Sequence, residues 1–421
     1  MIEIHKQEIL EIKVLQFLHK NQNKWLKLKR MADYFDVSPP KMSKILKGLS
    51  ILGSENQHIA IEIIASKGIY VTFSRNKDFL ELCEYIYKNS LPYKLIYALL
   101  NESIRDLGEF ADSNYISVAS VRRVISRINN VLKGKNITIV KNKIIGSEIN
   151  IRAFFFCYFW EIHKGYEWPF DSQIKKDTII RIHEKAYVKS GVLLNLSSYE
   201  QVYYLLAISF IRSKQKMYVE SDAEFENLSA NNPLFNIMRE VWSETFWNHP
   251  QYETEFQYIF FVGCSFSLDY KRTDKEIIKN LVDMYSKKKT FFSSVAYSTI
   301  KKIKLGESLS VPFEIDNMLF LEAIIGYHKA YLLGDMVSIV GLEYSYFKNC
   351  LAKSYPDYYL KSIDLLNNTI QEFEKREVNE AFIHELQASW WLKLKEQNKK
   401  QLNLMISLSN GPIVEKYVLK K

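Results

Sequence analysis

The side chains with most chemistry to offer are guanidinium, ammonium and hydroxyl groups set at helical spacing. From Ser117 to Asn129 the run reads SVASVRRVISRIN. Val121, Val124 or Ile125, and Ile128 share one helical face, which leaves Ser120, Arg122, Arg123, Ser126 and Arg127 around the remaining surface. Arginine forks onto phosphate oxygens or a guanine edge, and serine hydroxyls donate or accept, so this set suits recognition of a polyanion. Lys133, Lys141 and Lys143 follow closely and would track a sugar-phosphate backbone. Between Glu109 and Glu148 the only acid is Asp112. An earlier run carries Lys41, Ser43, Lys44 and Lys47 outward on a helix whose Met42, Ile45, Leu46 and Leu49 turn inward. Chemistry of bond-making is not legible. There is no GxxxxGK[ST] loop, no HExxH and no GxSxG in the sequence. Acid clusters such as Glu372, Glu374 and Glu377 read as solvated helix faces, so no enzyme, cofactor or metal is expected.

Two helix-turn-helix elements are expected to position these groups. In the first, Ala32 is the small residue where two helices approach, Val37 fills the turn, Ser38 caps the second helix and Pro39 takes its first position without losing a hydrogen bond. In the second, Ile116 fills the turn and Ser117 caps. Each pair sits in a larger pattern. Helices over residues 4–20, 26–35 and from 39 onward precede an alternating stretch, Ile59–Ile64, then Gly68 and Ile69–Phe73, which spells a hairpin. Helices over 91–100, 104–111 and 118–132 precede a second hairpin over 137–145. Three helices and a hairpin is the order of a winged helix, so residues 1–85 and 86–152 are expected to be two winged helix-turn-helix domains in tandem.

Beyond residue 153 long amphipathic helices rich in Tyr, Phe and Leu take over, divided into two helical domains at about 153–285 and 286–396. Residues 397–421 change character again: Leu402–Ser409 is strand-like and Ile413–Lys420 helical, the start of an α/β domain. The fold class expected is therefore mainly α.

Charge follows the same division. The chain of 421 residues has a net charge of +9 from 57 basic and 48 acidic side chains. Residues 1–160 hold 24 basic and 15 acidic groups, a surplus of 9, and the remaining 33 and 33 cancel. A cationic front half joined to a neutral remainder suits a polyanion-binding module attached to something else. The longest apolar run, Ala153–Trp160, is far short of the ~20 residues that span a bilayer, and the first residues offer no signal-peptide core. Cys83, Cys157, Cys264 and Cys350 lie at least 74 residues apart. They are read as buried thiols of a cytoplasmic protein.

The run Ile116-Ser117, Val121-Arg122-Arg123, Ile128-Asn129, Leu132 and Ile137-Thr138-Ile139, followed by Gly146-Ser147-Glu148-Ile149-Asn150-Ile151-Arg152, resembles the Mga/AtxA family of virulence regulators from Gram-positive bacteria. The Gly-x-Glu-x-x-Ile-Arg stretch is its sharpest part. The resemblance implies a transcriptional regulator that binds double-stranded promoter DNA. It implies two winged helices, two phosphotransferase-system regulation domains (PRDs) and, from residue 397, the beginning of a domain similar to the IIB component of sugar phosphotransferase systems. It also implies a homodimer tuned by phosphocarrier proteins that phosphorylate PRD histidines. In the helix Tyr203–Arg212, Leu205 falls where many PRDs carry the acceptor histidine, which leaves His183, His249 and His328 as candidates. Two other classes stay open: a replication initiator with two winged helices, and a PRD-type RNA-binding antiterminator.

Overall fold

Short polar side chains at helix starts and apolar spacing within helices set out most of the architecture. A computed structural model describes residues 4–56, 59–64, 67–74, 78–243, 252–288, 290–307 and 313–334, with residue 336 and a few later positions. The chain divides into two compact units, residues 1–131 with 139–143, and residues 132–138 with 144–421.

In the first unit, α1 (Lys6–Lys20), α2 (Leu28–Tyr34) and α3 (Pro39–Asn56) precede β1 (Ile59–Ile64) and β2 (Gly68–Phe73). After α4 (Asp78–Lys88) the order repeats: α5 (Leu91–Leu100), α6 (Leu107–Ser113) and α7 (Val118–Leu132) precede β3 (Ile137–Val140) and β4 (Lys143–Gly146). Both strand pairs are two-stranded. β1 and β2 are antiparallel, with Ile59 opposite Phe73 and Ile64 opposite Gly68. The Leu26 and Ile69 amides and carbonyls pair reciprocally at 2.8 Å, so Leu26 is drawn onto the hairpin and α2 starts only at Leu28. That pairing requires glycine at position 68: its φ is +116°, and an added Cβ would lie 2.3 Å from the Leu26 carbonyl oxygen. The inward residues of α1 (Ile9, Ile12, Leu15 and Leu18) are buried, as are Met42, Leu46 and Leu49 of α3. The helix α4 runs across residue 85, where a domain border was expected, and buries Leu82 and Ile86. α6 starts three residues later than the periodicity suggests. Asp106 caps it by accepting the Gly108 and Glu109 N–H groups at 2.6 and 3.3 Å.

In the second unit, α8 (Glu148–His163) is the centre. Residues 151–160 are all buried, so the apolar run is a helix covered on every side. It packs on α10 (Leu196–Lys214) and α16 (Phe313–Leu333), and α9 (Lys176–Ser190) packs on α12 (Pro233–Ser243). α11 (Ala223–Ser229) lies on α13 (Tyr252–Gly263), and α14 (Lys275–Lys288) and α15 (Phe291–Glu307) complete the helices among the described residues. Tyr204 of α10 meets Trp160, Trp168 and Phe170 edge-on with ring centroids 5.3–5.5 Å away, a packing that accounts for part of the aromatic content. Cys157 is buried, Cys83 and Cys264 half-buried, and burial pushes all three thiols up to about 12. Among the described residues no helix is long and apolar enough to cross a membrane. His249, Cys350, the acid cluster at 372–377 and residues 397–421 lie outside the described residues.

Candidate nucleic-acid interface

Two turns in the first unit have the same chemistry. Ala32, Asp36, Val37 and Ser38 correspond to Ala111, Tyr115, Ile116 and Ser117, each pair 79 residues apart (111 − 32 = 79). The Val37 N–H donates to the Ala32 carbonyl and the Ile116 N–H to the Ala111 carbonyl, both at 3.0 Å. Asp36 and Tyr115 take the left-handed conformation, with φ of 50° and 55°. The serine hydroxyls then accept backbone N–H groups at the start of the next helix, Ser38 from Lys41 at 3.4 Å and Ser117 from Ser120 at 3.2 Å. Ala32 and Ala111 are fully buried, as a close helix approach demands. Ala111 was not singled out in the sequence, although its place before the turn matches that of Ala32.

The helices that follow display the expected cations. On α3, Ser38, Lys41, Lys44 and Lys47 are exposed and Ser43 is half-buried. On α7, Ser117, Arg122, Arg123 and Ser126 are exposed and Ser120 is half-buried, while Val121, Val124 and Ile128 are buried. Arg123 lies back along its helix. Its Nε donates to the Ala119 carbonyl at 3.3 Å and its Nη2 to the Ser120 hydroxyl at 3.4 Å. The Ser117 and Ser120 hydroxyls are themselves 2.9 Å apart. Arg127 differs from its neighbours: it is half-buried, and its charge acts on the buried His5 and on Glu8 of α1. Burial, with nearby positive charges including Arg127, depresses the His5 imidazole to about 3. Tyr115, in the turn itself, is 97% exposed.

Lys133, Lys141 and Lys143 are all exposed on or beside the second hairpin. Two asparagines hold that hairpin. The Asn129 amide of α7 donates to the Ile139 carbonyl at 2.8 Å and accepts the Ile139 N–H at 2.7 Å, a reciprocal pair that replaces a strand partner. At the tip, Asn142 donates to the Ile104 and Arg105 carbonyls at 2.6 and 3.2 Å. In the sequence Asn129 is one residue of the family-like run, and Asn142 falls inside the expected second hairpin. Their bonds span 10 and 38 residues, and no local spacing announces them.

The Gly-x-Glu-x-x-Ile-Arg stretch belongs to the second unit and has a structural purpose. Gly146, at φ +137°, sits where a Cβ would be 2.1 Å from the Asn136 carbonyl oxygen. Glu148 and Arg152, one turn apart on α8, enter a buried ionic quartet. Arg152 is 0% exposed. It donates from Nε to Glu148 at 3.2 Å and from Nη1 and Nη2 to Glu255 at 2.8 and 2.9 Å. Arg212, at the end of α10, donates to both Glu148 oxygens at 2.8 and 2.9 Å. Glu255 also accepts the Ser213 hydroxyl at 3.0 Å and the Val219 N–H at 2.7 Å. Burial works against the Arg152 charge, but the Glu255 and Glu148 carboxylates outweigh it and hold the pKa above its ordinary value.

The candidate phosphate acceptors among the described residues are interior groups. His183 of α9 is 2% exposed, with Tyr187, Tyr199 and Tyr203 around it at centroid distances of 4.0–5.5 Å. Among the described residues neither of its ring nitrogens has a hydrogen-bond partner. His328 of α16 is 1% exposed among Phe261, Tyr285 and Phe292, with Nδ1 3.2 Å from the Cys264 carbonyl. Burial lowers the two imidazoles to about 3 and about 4.

Comparison with known proteins adds a family to this geometry. Residues 75–159 match the Mga helix-turn-helix domain. Over 225 residues the chain is 21% identical to the capsule synthesis positive regulator AcpB of Bacillus anthracis, covering 53% of this chain and 46% of that protein. Over 245 residues it is 23% identical to the anthrax toxin expression trans-acting positive regulator of the same organism, covering 58% and 50%. The capsule synthesis positive regulator AcpA, also of Bacillus anthracis, is 24% identical over 151 residues, covering 35% and 31%. The chain spans half the length or less of each of these relatives.

Proposed function

We propose that this chain, which belongs to the Mga/AtxA family, is a cytoplasmic transcriptional regulator that binds promoter DNA through tandem winged helices and controls that binding with its helical remainder. The observation that carries the reading is the repeated turn, Ala–αL–apolar–Ser, each copy leading into a helix whose outer face is cationic. Such a helix fits a major groove. Arg122 and Arg123 would reach base edges or phosphates there, Ser43, Lys44 and Lys47 would do the same from α3, and Lys133, Lys141 and Lys143 would follow the backbone from the wing. Arg127, half-buried where Arg122 and Arg123 are exposed, would contribute less to that outer face.

The helical half would act as two PRDs that set the geometry of a homodimer. Phosphotransfer from sugar-system phosphocarriers to His183, His249 or His328 would add charge where His183 and His328 now lie enclosed, so the modification would require opening of their helices and would favour the opened state. The names of the relatives as positive regulators support activation as the direction of control.

The test is fluorescence anisotropy of promoter duplexes at several salt concentrations, wild type against Arg122→Ala/Arg123→Ala. Loss of two phosphate contacts lowers the slope of log affinity against log salt by about 0.9 for each. Equal affinity and equal slope for the two proteins would remove α7 from the interface.

A further inference from the structure

Between α1, α3 and α4 the first unit leaves a groove of about 600 Å³. Its floor is aliphatic: Ile45, Leu49 and Leu52 from α3, Leu10 from α1 and Ile86 from α4. Among the described residues its rim holds Lys41 and Lys44, both exposed, with Lys6 and one acid, Glu11, beside them, a surplus of two positive charges.

The glycines of α3 indicate that this space is for something. Glycine is, after proline, the poorest helix former, so each one inside a helix calls for a reason. Gly53 has one: a Cβ there would lie 2.1 Å from the Ile59 Cγ2 of β1. Gly48 lines the groove, and a Cβ there would meet no atom within 4 Å. Helix propensity and packing would both accept a larger residue at position 48, and its side chain would occupy the groove.

We infer that the groove binds a small amphiphilic anion, with an aliphatic chain along Ile45, Leu49 and Leu52 and a carboxylate or phosphate head among Lys6, Lys41 and Lys44. The volume lies within the ~300–1,000 Å³ typical of small-ligand sites. A DNA strand would satisfy the lysines but has no aliphatic part for the floor. The charge surplus selects the sign of the head, and the floor selects the tail.

Lys41 and Lys44 belong both to this rim and to the face assigned to DNA, but the test contains no DNA, so its failure is separable from failure of the DNA-binding reading. Isothermal titration calorimetry of the full chain uses decanoate below its micelle concentration, with decyltrimethylammonium as the same tail on a cation and acetate as the head alone. Saturable one-to-one binding of decanoate is expected, and neither control should saturate. Gly48→Leu fills the groove and weakens binding at least about tenfold, a change that free-energy arithmetic makes easy to resolve. Leucine also favours the helix, so an unchanged far-UV spectrum accompanies that loss. Glu11→Gln removes the one rim acid and tightens binding. No saturable heat with decanoate, equal binding of the cationic amphiphile, or wild-type affinity in Gly48→Leu would each overturn the proposal.

Discussion

Replacing Glu255 by glutamine keeps the shape of the buried quartet and removes one of its charges. In the wild type two guanidinium groups face two carboxylates, and the sum is zero. Glu255→Gln leaves Arg152, fully buried, sharing Glu148 with Arg212 and carrying one uncompensated positive charge. Breaking a buried pair in this way costs about 3–5 kcal/mol, because Glu148 and the Met217 carbonyl remain as acceptors but one positive charge is left buried without a counter-charge. In a domain of this size each kcal/mol lowers Tm by roughly 2–4 °C, so a fall of about 6–20 °C is expected. The double change Arg152→Met/Glu255→Leu removes both signs together and retains the bidentate Arg212–Glu148 pair. It still leaves the Val219 N–H without its acceptor, at about 1–3 kcal/mol, and so should fall between wild type and the single variant. Urea unfolding followed by circular dichroism and tryptophan fluorescence on wild type, Arg152→Met, Glu255→Leu and the double variant gives the coupling energy. A single variant within about 1 kcal/mol of wild type, or a double variant no better than the sum of its singles, would refute an energetically closed quartet.

Three further outcomes are expected. His183 and His328 have folded-state pKa values near 3 and 4 against an ordinary 6.5, so their stabilising contribution is complete above pH 6.5 and is lost as the pH falls toward 4. Each contributes a slope of up to about 1.4 kcal/mol per pH unit, and His183→Phe should flatten the measured stability curve over that range. Asn129→Ala removes both bonds to Ile139, which should speed hydrogen exchange at the Ile139 amide by roughly tenfold or more while α7 keeps its protection; unchanged exchange would show that the hairpin needs no such anchor. Gly68→Ala sets a Cβ against the Leu26 carbonyl at positive φ, so a loss of at least about 1–3 kcal/mol in chemical denaturation is expected, whereas Gly48→Ala should stabilise.

Elements governed by local chemistry were legible. α5 and α7 begin and end where apolar spacing, and for α7 the capping Ser117, place them, whereas Gly68, expected in the turn of the first hairpin, opens β2 opposite Ile64. Boundaries moved where a distant group intervened. Ile69 takes Leu26 from the start of α2, and Asn142 takes the carbonyls of Ile104 and Arg105 while Asp106 caps α6. The helix α4 was passed over although Leu82, Cys83 and Ile86 have helical spacing, because it straddles a position read as a border. On the cationic face, exposure of Arg122 and Arg123 agrees with the periodicity, but the half-burial of Arg127 does not follow from it. The quartet joins positions 103 and 64 residues apart, and a motif-like Glu and Arg reveal nothing about which partners close it.

The anchoring of the second hairpin constrains how a duplex could be read. Asn129 fastens Ile139 to α7, and Asn142 fastens the tip to the segment before α6, so Lys141 and Lys143 cannot move independently of Arg122 and Arg123. On the DNA-binding reading the assembly behaves as callipers with a locked jaw. A duplex whose groove is too narrow or too wide must bend or unwind to fit, and sequences that yield easily will be favoured at base pairs the protein never touches.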